Sequence, residues 1–185
     1  MIKQKILMGY YMAEYTPQFL KSMEFVMKWE GGDKYTNDPD DPGGETKYGI
    51  CKAAFPNEDI KNLTEDRANY LYYTHFWLKC CCNMMPMIVA LPVFDMAVNN
   101  GPKNSILALQ RALCDCGFPI LDDGLIGSTT LGAIHAIPDK KDLAEECLQN
   151  REEHYDNCVK RRPKSAKYRK GWQNRVNDLR KVLSL

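Results

Sequence analysis

The sequence predicts an all-α fold, or one nearly so. Apolar residues recur at helical spacing in successive runs, and most of these runs carry a cap signal at one end. No run alternates between apolar and polar well enough to make a main sheet. The one long stretch that is almost without apolar residues, 33–49, is rich in Asp, Asn, Pro and Gly. Such a loop accommodates a small hairpin near Tyr35 or over 46–50 and little else.

The elements follow in order. Thr16-Pro17 reads as a cap followed by proline at the first helical position. Phe19, Met23, Val26 and Glu30 then fall on one face, and Gly31-Gly32 stops the helix. Thr64, with Glu65 and Asp66 behind it, opens a second helix along which Ala68, Leu71, Tyr72 and His75 lie. Pro86 precedes a third, strongly apolar helix that ends at Asn100-Gly101. Asn104-Ser105 opens a fourth, with Ile106, Leu109 and Leu113 at helical spacing. Asp122-Asp123-Gly124 is a turn, and a short helix over 130–137 follows it. Pro138-Asp139 caps a long helix, and Trp172, Val176, Leu179 and Leu183 form the apolar stripe of the last.

Length and composition suit a globular domain able to bury its own core. The net charge of +1 excludes nothing, but its distribution is uneven. Over 30–66 ten acidic residues face four basic ones, and over 160–181 ten Lys/Arg face one Asp. A basic end of this kind is either a solvated helix face or a contact for a polyanion, cell-wall polymer or nucleic acid. No RNA-binding signature, zinc finger or basic zipper is present, so nucleic acid is not expected as a partner. The eight cysteines include no C-x-x-C pair and read as reduced thiols packed as small hydrophobes, with a disulfide as the rival reading. The apolar run at 6–13 is short, broken by Gly9 and two tyrosines, and lacks a good cleavage site, so it does not read as a signal peptide. No stretch approaches the roughly 20 apolar residues of a membrane helix.

Glu30 carries the chemistry. It closes an amphipathic helix in register with the apolar face. Burying a carboxyl there disfavours its charged form, which is the property a general acid needs. The alternative is a Glu that turns outward as the helix frays, or pairs with an Arg. The loop behind it supplies Asn37, Asp38, Asp40 and Asp41. Glycoside hydrolysis needs two carboxyl groups, one to protonate the leaving oxygen and one to activate water or attack the sugar. A solvated acidic loop is the plain alternative; a calcium loop fits less well, because these acids miss the alternate-position spacing of an EF-hand.

The segment Glu30-Gly31-Gly32, followed by Asn37-Asp38-Pro39-Asp40-Asp41-Pro42-Gly43-Gly44-Glu45-Thr46-Lys47-Tyr48-Gly49-Ile50, resembles the signature of glycoside hydrolase family 108. These are N-acetylmuramidases akin to phage endolysins, some labelled secretion-activating proteins. The likeness continues through Tyr72-Tyr73, Phe76-Trp77 and Asp95-Met96-Ala97-Val98-Asn99-Asn100-Gly101. Leu109-Gln110-Arg111-Ala112-Leu113, Asp123-Gly124-Leu125-Ile126-Gly127 and Gly171-Trp172-Gln173-Asn174-Arg175 resemble the family's C-terminal peptidoglycan-binding region. One departure is that Asp33-Lys34 separate the glycine pair from the first aromatic, Tyr35.

The resemblance implies a lysozyme-like helical fold, a catalytic region over 16–101 and a peptidoglycan-binding region over 102–185 packed on it as one unit. It implies cleavage of the β-1,4 bond between N-acetylmuramic acid and N-acetylglucosamine, with Glu30 as acid. By analogy with phage lysozymes Asp38 orients water and Thr46 assists, with Asp41 as the rival to Asp38. Tyr35, Asn37, Tyr48, Tyr73, Trp77, Asn99 and Asn100 are the candidate substrate contacts, though aromatics at helical spacing are as often core. Asp95, inside an apolar helix, needs a buried partner. No metal or cofactor is expected, because two carboxyls suffice. The expected partner is peptidoglycan glycan strands, met by a monomer made in the bacterial cytoplasm and acting at the cell wall or periplasm. The competing function is a wall-binding or secretion-accessory protein without turnover.

Overall fold

The computed structural model describes residues 15–38 and 41–185. The apolar run at 6–13, and with it the question of a signal peptide, lies outside the described residues, as do Pro39 and Asp40. Seven α-helices and one two-stranded hairpin make up the described fold, as the sequence pattern anticipates. The chain divides into two compact units between His75 and Phe76.

The first unit begins with α1, Pro17–Trp29. Thr16 caps it by accepting the Phe19 N–H at 3.2 Å, satisfying one of the donors that a helix start leaves open. Gly31 (φ 80) and Gly32 (φ 62) then reverse the chain in a conformation that costs other residues energy. Strands β1 (Thr46–Lys47) and β2 (Ile50–Cys51) pair antiparallel, with Thr46 opposite Cys51 and Lys47 opposite Ile50. A bridge from Thr36 to Thr46 widens this hairpin by one rung. Helix α2, Glu65–Tyr72, is capped by Thr64, whose hydroxyl accepts the Arg67 N–H. Phe19, Val26, Ile50, Ile60, Leu71 and Tyr72 are all buried. After α2 the chain widens into one π-helical turn, Tyr73–Trp77.

The second unit is built on α3 (Met87–Asn100), α4 (Pro102–Asp115) and α6 (Lys140–Arg161), which pack against one another. Helix α3 is buried along most of its length, which is why its sequence is apolar on every side. Helix α3 packs with the helices that follow it. Helix α5, Ser128–Ala136, is short, and α7, Arg169–Leu183, lies along α6 with Val176 and Leu179 fully buried. Buried Gln110 explains the Asp123-Gly124-Leu125 motif. Its amide nitrogen donates to Asp123 Oδ1 and the Leu125 carbonyl, each at 2.9 Å, and its oxygen accepts the Gly124 N–H at 2.8 Å.

Candidate active site

Helix register puts Glu30 one turn beyond Val26, on the face that also carries Phe19 and Met23. Those three are buried, whereas Glu30 is half-buried. The expected face is right, but the carboxyl stands at its edge, where the helix ends. Glu30 is the C-cap residue, and its N–H still donates to the Val26 carbonyl at 3.0 Å. The backbone is therefore fixed while the side chain keeps access to solvent.

The hairpin turn lies against this helix end. Tyr48 (φ 52) and Gly49 (φ 71) are the two residues between β1 and β2. Two positive φ values in a two-residue connection make a type I′ turn, whose twist suits paired strands. For tyrosine that conformation is strained. It is held by two hydrogen bonds: the Tyr48 N–H donates to the Gly32 carbonyl at 2.9 Å, and the Tyr72 hydroxyl donates to the Tyr48 carbonyl at 2.8 Å.

Gly49 is where these segments meet. A Cβ added to it would lie 2.6 Å from the Tyr72 hydroxyl, 2.8 Å from Glu30 Cβ and 2.9 Å from Glu30 Oε2. The Glu30 carboxyl and the Tyr72 hydroxyl thus converge on one α-carbon that only glycine can supply. Sequence reasoning named Glu30 and Tyr48 as site residues but not Gly49 or Tyr72. The signal for Tyr72 was its place on the apolar face of its helix, since a buried phenol needs a hydrogen-bond partner.

The remaining candidates separate into those gathered by the hairpin and those elsewhere. Tyr35 is half-buried, and its hydroxyl donates to Glu45 Oε1 at 2.6 Å. That bond to a carboxylate pushes the phenol's pKa up. Partial burial, followed by the charges of Asp33 and Glu65, raises that of Tyr48. Both phenols are therefore neutral hydrogen-bonding groups around neutral pH. Asn37, Asp38 and Asp41 are exposed on the loop. Asp41 Oδ1 accepts the Gly43 N–H at 2.8 Å, a turn in which the side chain serves its own backbone. Thr46 donates its hydroxyl to the Gly44 carbonyl at 3.1 Å.

Tyr73 packs in the first unit with its ring edge-on to Phe19 and Tyr15, at centroid distances of 4.9 and 5.0 Å. The expectation for Trp77 needs correction. Its ring is fully buried and meets Phe94 edge-on at 5.2 Å, so it is a core residue and presents no open face to a sugar. Asn99 and Asn100 are half-buried near the end of α3 in the second unit. Asn99 Oδ1 accepts the Tyr155 hydroxyl at 2.9 Å, and the Asn100 carbonyl accepts the Asn104 amide at 2.8 Å.

Asp95 has the buried partner its position demanded, and in fact has two. Arg151 Nη1 lies 2.7 Å from one carboxylate oxygen, and Arg175 approaches with Nη2 at 2.7 Å and Nε at 3.0 Å. Arg151 Nε also donates to the Tyr155 hydroxyl at 2.6 Å, so the network runs on to Asn99. Among the described residues, no group of three or more His, Cys, Asp or Glu side chains is arranged to hold a metal ion.

Residues 23–101 match the family model described as Glycosyl hydrolase 108. Residues 104–177 match that of a Predicted Peptidoglycan domain. Among solved structures the chain is similar to SagA of Brucella abortus, with 28% identity and a TM-score of 0.73 over 89% of this chain and 92% of that one. Comparison with curated proteins finds no match. Glu30, Gly49 and Tyr72 all fall within the first family match, and the Gln110 loop falls within the second.

Proposed function

We propose that the chain, whose residues 23–101 match the glycosyl hydrolase 108 model and whose residues 104–177 match that of a predicted peptidoglycan domain, is a lysozyme-type N-acetylmuramidase with Glu30 as its general acid. The substrate is the β-1,4 bond from N-acetylmuramic acid to N-acetylglucosamine in peptidoglycan strands. The observation that supports this reading best is the convergence of Glu30 and Tyr72 on Gly49. A half-exposed carboxyl is fixed there against a rigid turn, next to a polar hydroxyl.

In this mechanism the sugar chain lies over the hairpin, with the Tyr35 and Tyr48 rings beside it. Glu30 then gives its proton to the glycosidic oxygen as the C–O bond breaks, and the positive charge that develops on the sugar ring is met by a second carboxylate. Asp38 is our candidate for that role, and Asp41, whose carboxylate accepts the Gly43 N–H, is its rival. The second carboxylate either activates water or attacks directly, and hydrolysis returns both groups to their starting states. Thr46, on β1, assists from the hairpin. This chemistry needs no metal or organic cofactor.

The test is digestion of purified peptidoglycan. The wild-type chain is expected to release muropeptides with new reducing ends on muramic acid. Glu30→Gln is expected to lose at least about a hundredfold in rate, the usual range for a missing general acid, with an unchanged melting temperature. Equal cleavage by the two proteins would remove Glu30 from the mechanism. A folded wild type without any turnover would support the wall-binding accessory reading instead.

A further inference from the structure

Between residues 160 and 170 the chain carries seven Lys/Arg and no acid. If these lay along a regular helix they would read as a solvated face. The structure arranges them otherwise. Helix α6 ends at Arg161, a 3-10 helix spans Pro163–Tyr168, and α7 starts at Arg169. Arg162, Pro163, Lys164, Ser165, Lys167 and Tyr168 line an open pocket of about 630 Å³. Of the seven cations only Arg169 has an ion-pair partner among the described residues, Asp156 at 2.6 Å. Like charges gathered without counter-charges repel one another, and a bound anion relieves that repulsion.

The pocket also has an aromatic wall tied to the core. Tyr168 is 53% exposed, and Lys167 Nζ stands 4.9 Å from its ring centroid. Its ring is 6.0 Å from that of Trp172, which stacks on Tyr155 at 4.6 Å and 13°. Tyr155 is buried and bonded to Arg151. A row of rings therefore joins the exposed pocket to the buried Asp95 network, so the site is built on a rigid support.

We propose that this pocket binds the carboxylates of the peptide stems of peptidoglycan, and so holds the protein to the wall at a site apart from the candidate active-site residues. The assignment rests on the wall-acting reading above. Residues 162–168 lie within the region matched to a peptidoglycan domain, which favours wall polymer over nucleic acid. The N-acetylated sugars of the strand carry no charge, whereas the stems carry free carboxylates. Anchoring through the stems leaves the glycan free to enter a catalytic groove, and it survives each cut, because cleavage of a strand removes no stem.

The experiment is sedimentation of the full chain with purified sacculi stripped of attached anionic polymers, in low and high salt. The triple variant Arg162→Gln, Lys164→Gln, Lys167→Gln is expected to bind about tenfold more weakly, and wild-type binding is expected to weaken as salt screens the charges. Sacculi whose stem carboxyls have been converted to neutral amides with a carbodiimide and an uncharged amine should be held no better by the wild type than untreated sacculi are by the variant. Three results would overturn the proposal: undiminished binding by the folded variant, equal wild-type affinity for sacculi with amidated stem carboxyls, or tighter binding to a short DNA duplex than to sacculi at the same salt. Sedimentation is read without turnover. A failure to cleave, which sinks the muramidase reading, leaves this measurement standing.

Discussion

Gly49 meets two demands at a single α-carbon. It takes the positive φ that closes the hairpin, and it leaves room for the Glu30 carboxyl and the Tyr72 hydroxyl. Gly49→Ala is therefore expected to cost roughly 1–2 kcal/mol of stability from the left-handed conformation alone. The added methyl also displaces Glu30, so turnover should fall further than stability does, by about tenfold or more in kcat with a smaller change in KM. Thermal melts and steady-state rates on one protein preparation separate the two effects. The place of Glu30 at the end of α1 was legible, since helical register and the following glycine pair are local signals. The roles of Gly49 and Tyr72 were not, because they exist only when residues 30, 49 and 72 meet. Trp77 shows the opposite error: an aromatic at helical spacing serves a core and a sugar platform equally well, and burial alone decides between them.

At the scale of elements, starts marked by a side-chain cap were the most legible. Thr16, Thr64 and Asp139 each accept backbone N–H groups at the starts the sequence indicated. The start of α4 was placed too late. Asn104 and Ser105 look like caps, but Gly101 (φ 86) and Pro102 make the real start. The polar side chains instead bond back to the carbonyls of Asn100 and Val93. The π-helical turn at Tyr73–Trp77 left no local mark to read, since such widening answers to packing. Between α6 and α7, Arg180 bonds Glu145 and Glu152 together. Its guanidinium holds the Glu152 carboxyl below the usual glutamate range. The resulting stability is fully present above the ordinary value of 4.5 and is lost as pH falls through the lowered one. Glu146, pushed up by burial and by Asp115 and Asp142, acts in the opposite sense. Arg180→Gln should cost about 1 kcal/mol at neutral pH, the scale of a partly solvated network. It should also flatten the acid limb of a plot of melting temperature against pH. An acid limb as steep as the wild type's would show that the clamp is not its source.

Across the whole molecule, the helical class and the succession of helices were legible, because periodicity and caps repeat along the chain. The division between His75 and Phe76 was not, since it depends on how helices sort into cores. The Asp95 network shows the same limit: the sequence demanded a partner for a buried carboxylate but could not say that it would be two arginines. Asp95→Asn leaves two buried guanidinium groups without their counter-charge and should cost about 3–5 kcal/mol in urea unfolding. The same network carries a consequence for the order of folding. Asp95 and Arg175 are 80 residues apart, so their bond closes one of the longest loops in the chain. Helices α3 and α4 are neighbours in sequence and can dock early, while the carboxylate waits for α6 and α7 to arrive. The clamp is therefore expected to form after the rate-limiting barrier and to act as a latch on the finished unit. In a chevron plot Asp95→Asn should steeply raise the unfolding arm and barely move the refolding arm. Equal displacement of both arms would place the latch in the folding nucleus. What looks at equilibrium like one more ion pair is, in kinetic terms, a determinant of how long the native protein survives once made.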